Sequence, residues 1–134
     1  MFLTKECDYG IRITRALADN KQKAVPIICE MENIPQQYAY KILKKMERAG
    51  IVQSKRGPDG GYRLVKTPNS FTMYDIVSAI DEKLFLSECL KSRGQLCPRN
   101  TPEAPCAVHR ELHHIQDMLI REMLSKSMEE ILNN

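Results

Sequence analysis

The run Ile51-Val52-Gln53-Ser54-Lys55-Arg56-Gly57-Pro58-Asp59-Gly60-Gly61-Tyr62-Arg63-Leu64-Val65 decides the fold. Two short strand-like segments, 51–54 and 61–65, flank a turn rich in glycine and proline that carries Lys55 and Arg56. Such a run predicts a β-hairpin with a positively charged tip. Everything around it reads as helix, so the hairpin is an insertion in a mainly α chain.

Immediately upstream, Pro35 opens a helix that ends at Gly50, the usual asymmetry of proline at the start and glycine past the end. Helical spacing puts Tyr38, Ile42, Leu43, Met46 and Ala49 on a packing side. Gln37, Tyr40, Lys41, Lys44 and Arg48 fall on the opposite, basic side. Further upstream, 4–18 reads as a helix capped by Thr4, with Cys7, Ile11 and Ala18 at helical spacing, and 25–31 as a short second helix with Pro26 in its first turn. The break at Asn33-Ile34-Pro35 makes helices two and three a helix-turn-helix.

Downstream, Thr67-Pro68-Asn69 closes the hairpin, and Thr72 with Asp75 predicts a capped helix running to about Asp81. From Leu90 to Pro105 there is no periodicity, and Gly94, Pro98, Pro102 and Pro105 interrupt the chain. A stretch of that kind in a compact domain points to a functional loop. Val108, Leu112, Ile115, Leu119 and Met123 then form one apolar stripe, and Ser127 with Glu130 predicts a capping box for a last helix, 128–132. The expected architecture is a winged helix-turn-helix over 1–82, then a sensor loop (89–106) and a dimerisation helix within 83–134.

Charge is divided unevenly. Residues 1–66 hold 13 Lys/Arg against 7 Asp/Glu, a net of +6, whereas 67–134 hold 7 against 10, a net of −3. A basic first half fits a phosphate-contacting module joined to a part that does not touch nucleic acid. With 43% hydrophobic and 28% charged residues the chain has the composition of a soluble globular protein rather than a disordered one. No apolar run has the length of a signal peptide or a membrane span, so the expected compartment is the cytoplasm and no membrane partner is expected. In a reduced compartment, clustered cysteines bind a metal or sense redox state more often than they form structural disulfides. Cys89, Cys97 and Cys106 are clustered, while Cys7 and Cys29 sit on amphipathic helices as small buried apolar groups.

Helix, short helix, turn, basic amphipathic helix and hairpin occur in the order that major-groove reading requires. Gln37 can hydrogen-bond base edges, Tyr40 can contact a thymine methyl or a phosphate, and Tyr38 counts with them among the DNA-binding residues. Lys41, Lys44 and Arg48 suit the phosphate backbone. Arg56, with Gly57 beside it at the hairpin tip, can reach into a minor groove. The expected partner is double-stranded DNA with a near-palindromic operator, read by a homodimer. No phosphate-cradling glycine loop, set carboxylate pair or triad-like arrangement supports an enzyme or a small-molecule substrate.

The stretch from Leu3-Thr4-Lys5 to Arg12, the helix start Ile34-Pro35-Gln36-Gln37-Tyr38, and above all Arg56-Gly57-Pro58-Asp59-Gly60-Gly61-Tyr62 resemble the IscR/NsrR (Rrf-type) regulators. The helix Asp75-Ile76-Val77-Ser78-Ala79-Ile80-Asp81 is similar to the one that follows their wing. The resemblance implies a homodimeric transcription factor, usually a repressor. In many members an iron–sulfur cluster senses nitric oxide, redox or iron status.

On that resemblance, Cys89, Cys97 and Cys106 are the cluster ligands, in the spacing Cys-x7-Cys-x8-Cys, wider than the x5/x5 arrangement common in the family. The fourth ligand has two candidates. Asp8 stands where NsrR-like members supply an aspartate to a 4Fe–4S cluster across the dimer, the favoured reading. His109 stands where IscR-like members supply a histidine to a 2Fe–2S cluster. A zinc ion in a Cys3His site and a metal-free thiol switch remain alternatives for the same loop. His113 and His114 read as surface residues.

Overall fold

The computed structural model describes residues 3–82, 84–91 and 97–134. In chain order the described elements are α1 (Lys5–Ala16), α2 (Val25–Glu32), α3 (Gln36–Arg48), β1 (Val52–Lys55), β2 (Gly61–Leu64), α4 (Met73–Ile80), α5 (Ala107–Leu124) and α6 (Met128–Leu132). Thr4 caps α1, its hydroxyl accepting from the Cys7 N–H at 3.2 Å. Beyond Ala16 the chain turns, and Asn20 takes a left-handed conformation at φ 59°. The first helix stops short of Ala18 because the Ala18 N–H bonds the Arg15 carbonyl three residues back, at 3.3 Å, in a tightened turn.

The N-terminal helices enclose one core. Cys7, Ile13 and Leu17 from the α1 segment, Ile28 from α2, and Ala39, Ile42, Leu43 and Met46 from α3 are fully buried, as are Ile76 and Val77 from α4. Gly10 allows α1 to lie close on α4. A β-carbon there would fall 2.0 Å from the tip of Ile80 and 3.3 Å from a methyl of Ile76. Glu32 is buried at the α2 end, where the Arg15 guanidinium grips both carboxylate oxygens and Arg12 donates to the Glu32 carbonyl at 3.3 Å.

Helix α3 has Pro35 as its N-cap, and Gly50 follows its end at φ +76°. Ala39 is buried on the packing side in place of the expected Tyr38 and Ala49, which are exposed. At the helix ends the neighbouring elements cover only the central rows of a helical face. The Tyr38 ring instead lies 5.8 Å from that of Tyr9.

The hairpin is antiparallel with Val52 opposite Leu64 and Lys55 opposite Gly61. Its first strand starts one residue later than expected, because Ile51 forms the corner after Gly50, although its carbonyl still accepts from the Val65 N–H at 2.8 Å. The Thr72–Asp75 capping box is fully formed at α4. At α6 only half of the expected box exists, with the Ser127 hydroxyl accepting from the Glu130 N–H. Met128 nevertheless enters the core, its N–H donating to the Phe71 carbonyl at 2.9 Å.

Of the loop 90–105, residues 92–96, Gly94 among them, lie outside the described residues. Helix α5 is 18 residues long, yet its one buried side chain is Gln116. No helix among the described residues is long and apolar enough to cross a membrane.

Candidate nucleic-acid interface and cysteine site

The outward face of α3 carries Gln37, Tyr40, Lys41, Lys44 and Arg48, all exposed, as the spacing predicted, with Tyr38 beside them. Arg48 Nε folds back on the Lys44 carbonyl at 3.5 Å. Lys41 and Lys45 converge on α1: Lys41 Nζ donates to Glu6 Oε1 at 2.7 Å and Lys45 Nζ to Glu6 Oε2 at 3.0 Å. Hydrogen bonds from these two lysines hold the Glu6 carboxyl below the usual carboxylate range, and Glu6 in turn raises the Lys41 ammonium. Sequence reasoning passed over both Glu6 and Lys45. Lys45 sits at the border between the two faces of α3, and its further bond to the Ile80 carbonyl at 3.0 Å is made across tertiary packing.

The wing is fixed to this face from two directions. Glu47, on α3, accepts from the Ser54 hydroxyl at 2.7 Å and from the Ser54 N–H at 3.3 Å. On the other side, β2 pairs with the segment before α2 through a bridge between Lys23 and Tyr62. Gln22 Nε2 also donates to the Asp59 carbonyl at 2.8 Å.

These contacts explain the glycines of the turn. Gly61 has φ +136°, and a β-carbon on it would meet the Lys23 carbonyl oxygen at 2.1 Å. At Gly60 the added carbon would strike the Lys55 and Gly57 carbonyls at 2.5 and 2.7 Å. A left-handed φ and close backbone approach are the conditions that only glycine meets without strain. Arg56 and Gly57 stand exposed at the tip, Gly57 at φ +110°.

The three loop cysteines are half-buried. Cys89 lies in a 3-10 turn with its sulfur 3.0 Å from the Ser87 hydroxyl. Cys106 is the N-cap of α5, its sulfur accepting from the His109 N–H at 3.5 Å. Asn100 braces Cys97 to Cys106: its N–H donates to the Cys97 carbonyl at 3.0 Å, and its side-chain oxygen accepts from the Cys106 N–H at 2.8 Å. Gln116 Oε1 accepts from the Leu86 N–H at 2.8 Å, tying the approach to Cys89 onto α5. His109 Nδ1 is buried and has no hydrogen-bond partner among the described residues.

Asp8 stands apart on α1, paired with Arg12 at 3.0 Å. It lines a cleft of about 660 Å³ whose apolar wall is Ile11, Met128, Ile131 and Leu132. Among the described residues no three His, Cys, Asp or Glu side chains are gathered closely enough to hold a metal ion. The donor types, three thiols and one buried unpartnered imidazole nitrogen, suit an iron–sulfur cluster or zinc. All five cysteines are free. Cys7 is fully buried, as expected, while Cys29 is half-buried, and burial pushes its thiol up. His113 and His114 are exposed, also as expected.

A family described as Rrf2, iron-dependent transcriptional regulator, matches residues 3–134. Protein aau3 of Rhizobium meliloti is 31% identical over 100 residues, 73% of this chain and 65% of that protein. The transcriptional regulator NsrR of Halalkalibacterium halodurans is 25% identical over 137 residues, covering this chain in full and 92% of its own length. Among solved structures, oxidized Staphylococcus aureus CymR superposes with a TM-score of 0.77 at 17% identity, over 100% of this chain and 98% of its own. The exposed basic helix, the wing clamped beside it and this match over nearly the whole length together place the chain in the Rrf2 family of helix-turn-helix transcriptional regulators.

Proposed function

We propose that this chain is a homodimeric, cytoplasmic DNA-binding regulator, acting as a repressor, whose three-cysteine loop holds an iron–sulfur cluster. The observation that carries the reading is the joining of two features in one small molecule. An exposed basic helix with a wing clamped beside it is one, and three half-buried thiols, one of them capping α5, are the other. Residues 1–82 supply the DNA contacts in this reading and 83–134 the sensing and dimer contacts. The exposed apolar side chains of α5, with Val108 67% and Met118 54% accessible, fit a seam with a second copy. Two recognition helices placed one DNA turn apart then read a near-palindromic operator.

Cys89, Cys97 and Cys106 are the cysteine ligands in this reading. A cluster held there would supply a centre that nitric oxide or oxidants attack and that low iron leaves unassembled. Asp8, facing an open cleft, is the fourth ligand if the cluster is 4Fe–4S and the aspartate is delivered across the dimer. The buried Nδ1, without a partner among the described residues, favours a second reading, with His109 as fourth ligand of a 2Fe–2S cluster. In both, Asn100 and Gln116 hold the backbone around the thiols in place. A metal-free thiol switch draws support from the likeness to a CymR structure in an oxidized form.

Anaerobic purification with iron, sulfide and zinc analysis and a visible spectrum tests the reading, repeated for Asp8→Asn and His109→Gln. About four irons per chain, altered by Asp8→Asn and untouched by His109→Gln, supports Asp8. Two irons with the reverse sensitivity supports His109. A colourless protein after reconstitution removes the cluster and leaves a DNA-binding regulator with zinc or thiol sensing.

A further inference from the structure

Glu6 belongs to α1, but its carboxylate is directed at the helix read here as entering DNA. One oxygen is held by Lys41 at 2.7 Å and the other by Lys45 at 3.0 Å. The two lysines differ in their alternatives. Lys45 is 26% exposed and also bonds the Ile80 carbonyl, so it is tied to the body of the protein. Lys41 is 58% exposed and pairs with Glu6. A carboxylate oxygen at 2.7 Å from an ammonium presents the charge and geometry of a phosphate oxygen.

We infer that Glu6 sets DNA affinity by occupying, on Lys41, the place that a backbone phosphate takes in the complex. The inference rests on the reading of Lys41 as a phosphate contact. When Lys41 turns to DNA, Glu6 keeps its second lysine and remains charge-compensated through Lys45. The exchange therefore breaks one exposed ion pair, a weak interaction in water, and leaves a carboxylate near the incoming phosphates. Glu6 thereby restrains sequence-independent binding, which is governed by phosphate neutralisation. An opposite role, in which Glu6 positions Lys41 for DNA, predicts the opposite sign for its removal.

The test measures binding of the full-length protein to mixed-sequence double-stranded DNA across a salt series, for wild type, Glu6→Gln, Lys41→Gln and the double variant. Glu6→Gln is expected to bind about two- to fivefold tighter, the range set by an exposed pair. Its plot of log affinity against log salt should steepen, by less than the ~0.9 of one phosphate contact, because salt no longer weakens a competing Glu6–Lys41 pair. The double variant should bind like Lys41→Gln. A structural role for Glu6 would loosen α1 on α3 and weaken binding without steepening the slope. Unchanged or weaker binding by Glu6→Gln, while Lys41→Gln still weakens it, overturns the inference and leaves the interface standing. If Lys41→Gln itself changes neither affinity nor slope, the placing of Lys41 at DNA has failed and the inference goes with it.

Discussion

Lys23 and Tyr62 exchange backbone hydrogen bonds in both directions, Lys23 N–H to Tyr62 O at 3.0 Å and Tyr62 N–H to Lys23 O at 2.9 Å. This bridge gives the two-stranded wing a third point of attachment. An isolated hairpin of four-residue strands is marginal in water. Here the wing derives its rigidity from the segment before α2 and from Glu47.

Gly61→Ala should therefore damage the wing selectively. The new carbon meets the Lys23 carbonyl, and the residue must hold φ +136°, a conformation costing about 1–3 kcal/mol for a non-glycine residue. Urea titration should show a loss of at least that size, together with weakened DNA binding. A variant as stable as wild type would mean that the bridge is not maintained in solution.

Arg56→Ala should weaken specific DNA binding by about 1–3 kcal/mol if Arg56 reads a base edge, with stability unchanged because the side chain is exposed at the tip. Footprinting and affinity on an identified operator check it. Equal affinity would remove the wing tip from the contact set.

The pair Arg15–Glu32 should respond asymmetrically. The Glu32 side chain is 7% exposed and that of Arg15 60%, so Arg15→Ala leaves a carboxylate buried without its cation. Glu32→Gln leaves an arginine that water can solvate. Arg15→Ala should cost about 1–3 kcal/mol and Glu32→Gln less. The order of thermal midpoints decides between them.

Acid should release two surface contacts. Lys41 and Lys45 lower the Glu6 pKa, and Lys23 lowers that of Asp19. A carboxyl with a depressed folded value stabilises the protein above its ordinary value. That contribution disappears as pH falls through the depressed one. The stability gap between wild type and Glu6→Gln or Asp19→Asn should thus be widest near neutral pH and close below about pH 4. A gap that widens in acid would contradict both pairings.

Ile115→Glu or Leu119→Glu should convert a dimer to a monomer in sedimentation and lower operator affinity, since both side chains lie on the exposed flank of α5. A variant that remains dimeric would move the seam elsewhere.

Local chemistry made much of this fold legible. Thr4, Pro35, Gly50 and the Thr72–Asp75 box mark helix ends through contacts spanning a few residues. The hairpin follows from its turn. What escaped was tertiary. Glu6 and Lys41 are 35 residues apart, and no periodicity connects them. Tyr38 and Ala49 were assigned to the packing side by phase, which says nothing of how far a neighbouring helix extends. The hydrogen bonds of Asn100 and Gln116 around the cysteines were invisible because the loop has no repeating pattern to align them.

The Asn100 brace has a consequence for how the cysteine loop meets a ligand. Cys97 is held by the Asn100 backbone N–H and Cys106 by the Asn100 side-chain oxygen, so one residue joins the backbones of two cysteines at the head of α5. If the loop takes the ligand proposed above, part of the ordering entropy is settled during folding rather than on binding.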